Sequence, residues 1–339
     1  MTNDQYLENK SMLTIRCFQT VCLMAVAGVL AVGLSASAEE PIKKPTTALL
    51  KIPTRPRVPG TMKLQMRSRV ETAKGSGKYK AVVREVEWDV ADTVIIVCDM
   101  WDDHYCQMAA ERVGVMAPKM NRVIGSARGH GVMIVHAPSG TMKRYAKTPF
   151  RLRMQQAKMF KPPVPIASWC YLDLKDEAPL PIDDRRSDTK APCDDPIGRA
   201  RIRMYSKQHD GIRIAGYDGI SDNGVEIYNF CRQEGIKNVV VMGVHTNMCI
   251  LGRPFGIRQM TRLGMNVVLA RDLTDAMYDP RSYPYVSHTR GTELVVEHIE
   301  KYWCPTIVGK DLTKIIAGSA NPLPETLSKG LPASEKSEK

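Results

Sequence analysis

Short apolar runs alternate with segments of helical spacing through the middle of the chain. The run Thr93–Cys98 is continuous and rich in β-branched residues, as expected of a strand that is buried on both faces. Comparable runs lie at 132–135, 239–243 and 266–270. Apolar residues at helical spacing occupy 109–128, 223–233, 249–263 and 292–302. This alternation predicts an α/β fold in three layers, with a mainly parallel sheet and helices on both of its faces.

Two further strand-like segments, 62–69 and 79–86, flank the turn-forming residues 74–78 and predict an N-terminal β-hairpin. A stretch from 139 to 196, rich in Pro, Lys and Asp, is typical of a long insertion. We therefore expect a domain over 62–310, preceded by a Pro/Lys-rich linker at 39–61 and followed by a polar C-terminal tail at 311–339.

The first 38 residues have the pattern of a signal peptide. Lys10 and Arg16 precede the apolar run Val21–Leu34, and small residues from Ser35 to Ala38 follow it. A single anchoring helix is the alternative, but the run is short for a bilayer span. We expect cleavage after Ala38, a periplasmic or secreted protein, and no stable membrane insertion after cleavage.

The distribution of charge along the chain limits the classes of partner that the protein can bind. The net charge is +12, but the Lys and Arg residues are scattered and form no stripe interleaved with aromatic residues. We therefore expect a small-molecule substrate and no nucleic acid, and a homo-oligomer stays open.

Nine cysteines are present, and seven remain once Cys17 and Cys22 leave with the signal peptide. This odd number leaves at least one thiol free in an exported protein. Cys170 and Cys193 flank a loop-like stretch and could pair in an oxidising compartment. No cysteine or histidine spacing is typical of a structural zinc site, so we expect no metal and no cofactor.

Asp99, His136 and Cys249 come at or just after the ends of predicted strands, and these ends share one rim of a parallel sheet. Cys249 follows a tight turn and opens a helix, where the dipole lowers a thiol pKa and free N–H groups can hold an oxyanion. It is therefore a candidate nucleophile, or else a buried structural cysteine, a description that Cys98 and Cys231 fit better. Asp99 is a candidate proton acceptor, or a cap or turn aspartate.

Two motifs on this rim resemble those of isochorismatase-like cysteine hydrolases. Residues 94–103 (VIIVCDMWDD) resemble the opening strand that ends in that family's catalytic aspartate. Residues 243–249 (GVHTNMC) resemble its G-V-x-T-x-x-C nucleophile turn. The resemblance covers about 93–307, with a gap in the insertion. It implies an amide-type cysteine hydrolase that acts on a small C–N substrate through a Cys thioester.

The resemblance further implies an Asp–Lys–Cys triad of Asp99, Lys207 and Cys249, with Arg213 as the alternative to Lys207. It also implies a cis peptide bond between Val244 and His245, in a turn that forms the oxyanion hole with Cys249.

We assign Trp101, His136 and Arg253 to the substrate pocket. Trp101 replaces a glutamine of the family, and His136 is either a pocket residue or a structural histidine. Arg253 either binds a substrate carboxylate or forms an internal ion pair with Asp272 or Asp275.

Nicotinamidases of this fold carry an Asp-x-His…His metal set after the second strand. Residues 136–139 (HAPS) lack that pattern, so we expect no catalytic metal.

Two other functions stay open. The chain could be a catalytically inactive binding or scaffold protein of the same fold, and fast alkylation of Cys249 would argue against that. It could also be an isochorismatase-type vinyl-ether hydrolase, which can dispense with a cysteine.

Overall fold

The computed structural model describes residues 52–183, 192–196 and 205–317. The predicted signal peptide and residues 318–339 of the predicted tail lie outside the described residues. Within those three ranges, no helix has both the length and the apolar character that crossing a membrane requires.

Nine strands and seven α-helices make up the described chain. The strands are β1 (Gly60–Glu71), β2 (Tyr79–Asp89), β3 (Thr93–Cys98), β4 (Met133–Ala137), β5 (Gly219–Ile220), β6 (Asn238–Val244), β7 (Asn266–Asp275), β8 (Thr306–Ile307) and β9 (Ile315–Ala317). The helices are α1 (Gln107–Gly129), α2 (Met142–Tyr145), α3 (Pro149–Gln155), α4 (Gly224–Gln233), α5 (Cys249–Gly252), α6 (Ile257–Arg262) and α7 (His288–Tyr302).

All nine strands belong to one sheet, in the order β2-β1-β8-β7-β6-β3-β4-β5, with β9 paired to β1. The strands from β8 to β5 along this order are parallel, and β1 pairs antiparallel with β2, β8 and β9. Strand β3 lies between β4 and β6, so the residue that follows it stands in the middle of the sheet's carboxyl edge.

Helices cover both faces of this sheet. Val94 and Ile96 of β3 pack into an apolar cluster that includes residues of α4, α6 and α7. Ile95 and Val97 pack into a second cluster that includes α1 and strand β1. Because successive residues of a strand face opposite sides, the unbroken apolar run of β3 is the signature of this burial, and the predicted fold class is confirmed.

The predicted N-terminal hairpin is present and extends the sheet. Strands β1 and β2 pair over their full length, from Thr61 opposite Asp89 to Glu71 opposite Tyr79. The chain beyond Lys310 also belongs to the fold, because Leu312 is fully buried and β9 pairs with the start of β1. The domain therefore extends to at least residue 317.

The single helix expected over 249–263 is wrong. Helix α5 ends at Gly252, Arg253 has an extended backbone (φ −62°, ψ 154°), and α6 begins at Ile257. The cause is Pro254, which has no N–H to donate and disfavours helical backbone at the residue before it.

The predicted insertion packs against the sheet's helices rather than standing apart. The carboxylate of Glu177 is buried and accepts hydrogen bonds from Arg258 (2.5 Å), from Trp303 (2.9 Å) and from the ring of His298 (2.8 Å). These hydrogen bonds fix the insertion to α6, α7 and the residue that follows α7.

Candidate active site

Asp99 follows β3 directly and has no exposed surface. Its backbone has a positive φ of 48°, a conformation that aspartate tolerates better than most residues. The carboxylate accepts a hydrogen bond from the backbone N–H of Ser139 (2.8 Å) and one from Arg253 Nε (2.9 Å). A buried carboxylate needs such partners, and here they hold both of its oxygens in place.

Cys249 opens α5 and is 6% exposed. Burial raises the pKa of its thiol well above the ordinary range, the charge of Asp99 and a hydrogen bond to it raise the pKa further, and Arg253 lowers it. The expectation of a thiol pKa lowered by the helix dipole is therefore wrong, because α5 is a single turn and burial dominates. The resting group is a thiol that faces a carboxylate.

The turn before Cys249 has the expected backbone. The peptide bond between Val244 and His245 is cis. Gly243 has a φ of 116°, and a Cβ there would lie 2.0 Å from the carbonyl oxygen of Cys98, so only glycine fits where β6 passes β3. The His245 backbone N–H is directed at the Cys249 thiol, which places a hydrogen-bond donor beside the sulfur.

Arg253 is the cation of this site. Its Nε lies 2.9 Å from Asp99 Oδ2, and its side chain is 25% exposed. Although burial would lower it, the charge of Asp99 raises the pKa of this guanidinium. The internal ion pair that the sequence left open thus exists, but its partner is Asp99. Asp272 pairs with Lys119 and Asp275 pairs with Arg112.

The structure does not bring Lys207 to Asp99 or Cys249, so its place in a triad is corrected. Its ammonium contacts both carboxylate oxygens of Asp210 at 2.5 Å, and the Asp210 side chain is 79% exposed. Arg213, the alternative, has an exposed side chain, and its backbone N–H donates to Asn121. The cation beside Asp99 is therefore Arg253, which follows the nucleophile in the chain. The resemblance implied a cation from the segment that precedes the nucleophile.

Of the two remaining pocket candidates, Trp101 borders the site and His136 does not. The indole of Trp101 donates to the carbonyl of Ser139 (3.0 Å) and stacks on Tyr205 at 4.2 Å between ring centroids. His136 is fully buried, and its two ring nitrogens contact Gln208 and Asp218, both at 2.9 Å. His136 is therefore a structural histidine with no nitrogen left for a substrate.

Trp169 of the insertion is a site residue that the sequence did not single out. A Cβ on Gly252 would lie 2.5 Å from its ring, and the Arg253 guanidinium carbon lies 5.5 Å from the ring centroid. The insertion therefore forms one wall beside Cys249. Neither composition nor spacing in the sequence identifies this tryptophan as a site residue. The one local indication is Gly252, three residues after Cys249, because a side chain there would collide with the ring.

Two neutral histidines lie on the other side of the turn. Burial lowers the pKa of His245 to about 3 and that of His104 to about 4, so both rings are uncharged near neutral pH. Their ring centroids are 5.1 Å apart. Within the described chain, His245 Nε2 is buried without a hydrogen-bond partner.

The thiol of Cys170 lies against Gln259 (3.4 Å), whereas Cys193 lies against Cys106. The pairing of Cys170 with Cys193 that the sequence allowed is therefore not present. All seven cysteines in the described ranges are free.

Comparisons with known proteins give structural matches alone. No family model matches the sequence, and no curated protein sequence matches it. A cysteine hydrolase from Pseudomonas syringae pv. phaseolicola 1448A is similar over 66% of this chain and 92% of its own, at 14% identity and a TM-score of 0.40. An isochorismatase-like hydrolase from Alkaliphilus metalliredigens covers 66% of this chain and 98% of its own, at 13% identity and a TM-score of 0.38.

An isochorismatase family protein from Desulfovibrio vulgaris subsp. vulgaris str. Hildenborough covers 65% of this chain and 96% of its own, at 13% identity and a TM-score of 0.39. At these levels of identity and superposition, the matches carry no conclusion about chemistry.

Proposed function

We propose that this protein is a cysteine hydrolase that cleaves a C–N bond of a small amide-type substrate, with Cys249 as the nucleophile. The observation that carries the proposal is the convergence of three groups at the carboxyl edge of the sheet. The thiol of Cys249 faces the carboxylate of Asp99, and Arg253 pairs with that carboxylate at 2.9 Å. A nucleophile that contacts a base, which is itself held by a third group, is the arrangement that activates a side chain for covalent catalysis.

The first step is proton transfer from Cys249 to Asp99 as the sulfur attacks the carbonyl carbon. Because the thiol pKa is raised, little thiolate exists before the substrate binds, and the base must act during the attack. Arg253 pairs with the buried carboxylate, and its positive charge stabilises the sulfur as negative charge develops there.

The oxyanion of the tetrahedral intermediate needs donors that are already in place. The Cys249 backbone N–H at the start of α5 has no acceptor within the helix, and the His245 N–H is directed towards the sulfur, whereas the Ile250 N–H already donates to the His245 carbonyl at 3.2 Å. When the intermediate collapses, the C–N bond breaks and Asp99 returns its proton to the leaving nitrogen. Water then hydrolyses the thioester, with Asp99 again as the base.

Arginine rather than lysine as the cation changes how protons move. A guanidinium stays charged throughout, so it cannot take part in proton exchange, whereas a lysine ammonium can. In this site every proton passes through Asp99, and Arg253 acts by charge alone.

An activated acyl donor tests the proposal without knowledge of the substrate. After brief exposure to p-nitrophenyl acetate, we expect acetyl on the peptide that contains Cys249, identified by mass spectrometry, and turnover of the ester. Cys249→Ala should abolish both, and Asp99→Asn should slow acylation by about 10²–10⁴-fold. Lys207→Met is the matched control and should behave like the unaltered protein, since Lys207 contacts Asp210.

Acetylation that persists in Cys249→Ala, or that is lost in Lys207→Met, would contradict the proposal. A folded protein that forms no acyl adduct, and hydrolyses no member of a panel of small amides, would instead favour the scaffold alternative. Alkylation by iodoacetamide is a weaker test, because a buried thiol of raised pKa reacts slowly whether or not it is a nucleophile.

We further propose that the protein is exported, from the signal-peptide pattern that ends at Ala38. N-terminal sequencing of the protein from its host should give Glu39 as the first residue. A protein that retains Met1 would contradict export by cleavage.

A further inference from the structure

Two cysteines and an aspartate from distant parts of the chain meet beside the start of α1. The thiols of Cys106 and Cys193 and the carboxylate of Asp195 offer three ligand atoms that all lie within 4.8 Å of one another. Cys106 and Asp195 are buried, and Cys193 is partly exposed. No role in the proposed hydrolysis uses any of them.

We propose that Cys106, Cys193 and Asp195 form a binding site for a borderline-soft divalent cation such as Zn²⁺. Cys106 Sγ lies 3.4 Å from Asp195 Oδ1. In a tetrahedral zinc site, Zn–S bonds of about 2.3 Å and Zn–O bonds of about 2.0 Å place sulfur and oxygen about 3.5 Å apart. The pair therefore already has the spacing of one edge of such a site.

The carboxylate distinguishes a metal site from a disulfide. Both thiols lie within hydrogen-bonding distance of the Asp195 carboxylate, and Cys106 Sγ also lies 3.5 Å from Asp194 Oδ1, so the two sulfur atoms face negatively charged groups. A disulfide would remove these two donors and leave the carboxylate without them. A cation instead replaces the two protons: two S–Zn bonds and one O–Zn bond form, both protons go to solvent, and no electron is transferred.

The surroundings resemble the outer shell that orients metal ligands. The Asp195 carboxylate also accepts the backbone N–H groups of Gln107 and Met108, both at 2.9 Å, so it caps α1 in place of Cys106. The Arg281 guanidinium donates to the Asp195 carbonyl at 3.0 Å. Ligands fixed in this way need little rearrangement to bind, and Cys193, being partly exposed, leaves room for water as a fourth ligand.

The bound cation would fasten residues 192–196 to the rest of the fold. Cys106 forms a small apolar cluster with Ala109 and Met277, and Cys193 and Met248 pack against it. Met248 directly precedes Cys249. The metal would therefore stabilise the packing around the nucleophile turn without contacting the substrate, which is a structural role.

Cobalt substitution tests the site on residues 39–339, the mature protein that we propose, because Cys17 and Cys22 would offer further thiolates. We expect Co²⁺, added under reducing and chelator-free conditions, to bind at one equivalent per chain with a thiolate-to-cobalt charge-transfer band that Zn²⁺ abolishes by displacement. Cys106→Ser and Cys193→Ser should each lose the band. Cys170→Ser is the matched control: its hydroxyl can still donate to Gln259, and the band should persist.

A measurement on the unaltered protein tests the proposal even if the serine variants fail to fold. Zn²⁺ should protect Cys193 from alkylation, as mapped by mass spectrometry. The proposal is overturned if the unaltered protein shows no cobalt band, if the band survives in both serine variants, or if Zn²⁺ gives no protection. A Cys106–Cys193 disulfide in the isolated protein, with no cobalt binding after reduction, would overturn it in favour of a redox pair.

Discussion

The ion pair between Arg253 and Asp99 makes the sharpest quantitative prediction. Two unit charges 2.9 Å apart attract by about 6 kcal/mol at an effective dielectric constant of about 20, before desolvation offsets part of this. Removing one partner of a buried pair costs about 3–5 kcal/mol, because the other charge stays buried and uncompensated. Arg253 is one-quarter exposed, so we expect Arg253→Met to lower the free energy of unfolding by about 3 kcal/mol, the lower end of that range.

A double-mutant cycle isolates the pair from the packing of the long side chain. Asp99→Asn suits as the second change, because asparagine tolerates the positive φ at this position and can still accept the Ser139 N–H. The two changes together should destabilise less than the sum of the single changes, with a coupling of about 2 kcal/mol. Urea unfolding of the four proteins near neutral pH, followed by circular dichroism, gives this value.

Arg253→Lys serves as the control for charge. A lysine keeps the positive charge without the fork geometry, so its loss of stability should lie between those of the unaltered protein and Arg253→Met. A coupling below about 0.5 kcal/mol, together with full stability of Arg253→Met, would refute the role of this pair.

Two further predictions concern stability. Gly243→Ala must place a Cβ 2.0 Å from the Cys98 carbonyl oxygen, so we expect this variant to unfold at a much lower urea concentration than the control Gly264→Ala. Gly264 also has a positive φ, but the space around it is open, so its change to alanine should cost about 1 kcal/mol. Similar midpoints for the two variants would show that the backbone at Gly243 yields easily. Burial alone would raise the pKa of Glu177, but hydrogen bonds from His298, Arg258 and Trp303 lower it from 4.5 to about 2. Because the pKa of this carboxyl is lower in the folded than in the unfolded protein, the group stabilises the folded protein at pH values above the unfolded-state pKa. This contribution, about 3 kcal/mol, is lost as the pH falls from about 4.5 to about 2. Urea unfolding between these pH values should therefore show a shallower loss of stability in Glu177→Gln, and equal slopes would contradict the assignment.

Features that depend on local chain patterns could be predicted from the sequence. The apolar runs gave the parallel strands, and the turn at 74–78 gave the hairpin, because burial on two faces and tight reversals both leave a local signature. The positions of Asp99 and Cys249 on one rim followed from strand ends alone. The two motifs each lie within a dozen residues, so no long-range packing had to be known to find them.

Features that depend on side chains meeting across the fold could not be predicted in the same way. Cys106 and Cys193 are far apart in the chain, so no spacing rule for zinc applies to them. The family resemblance placed the cation that neighbours Asp99 in the segment before α4. The structure supplies it from Arg253, and the sequence does carry a signal for this: Pro254 ends the helix there and sets the extended backbone of the residue before it.

This arginine also explains why a site with a thiol of raised pKa is compatible with the catalysis that we propose. A permanently charged guanidinium that pairs with Asp99 keeps a base in contact with the sulfur, and a base in contact makes a free thiolate unnecessary. The thiol then stays protonated until a carbonyl carbon is in reach, which protects a buried cysteine from reaction with oxidants that attack thiolates. In the exported protein that we propose, this protection matters because compartments outside the cytosol are oxidising.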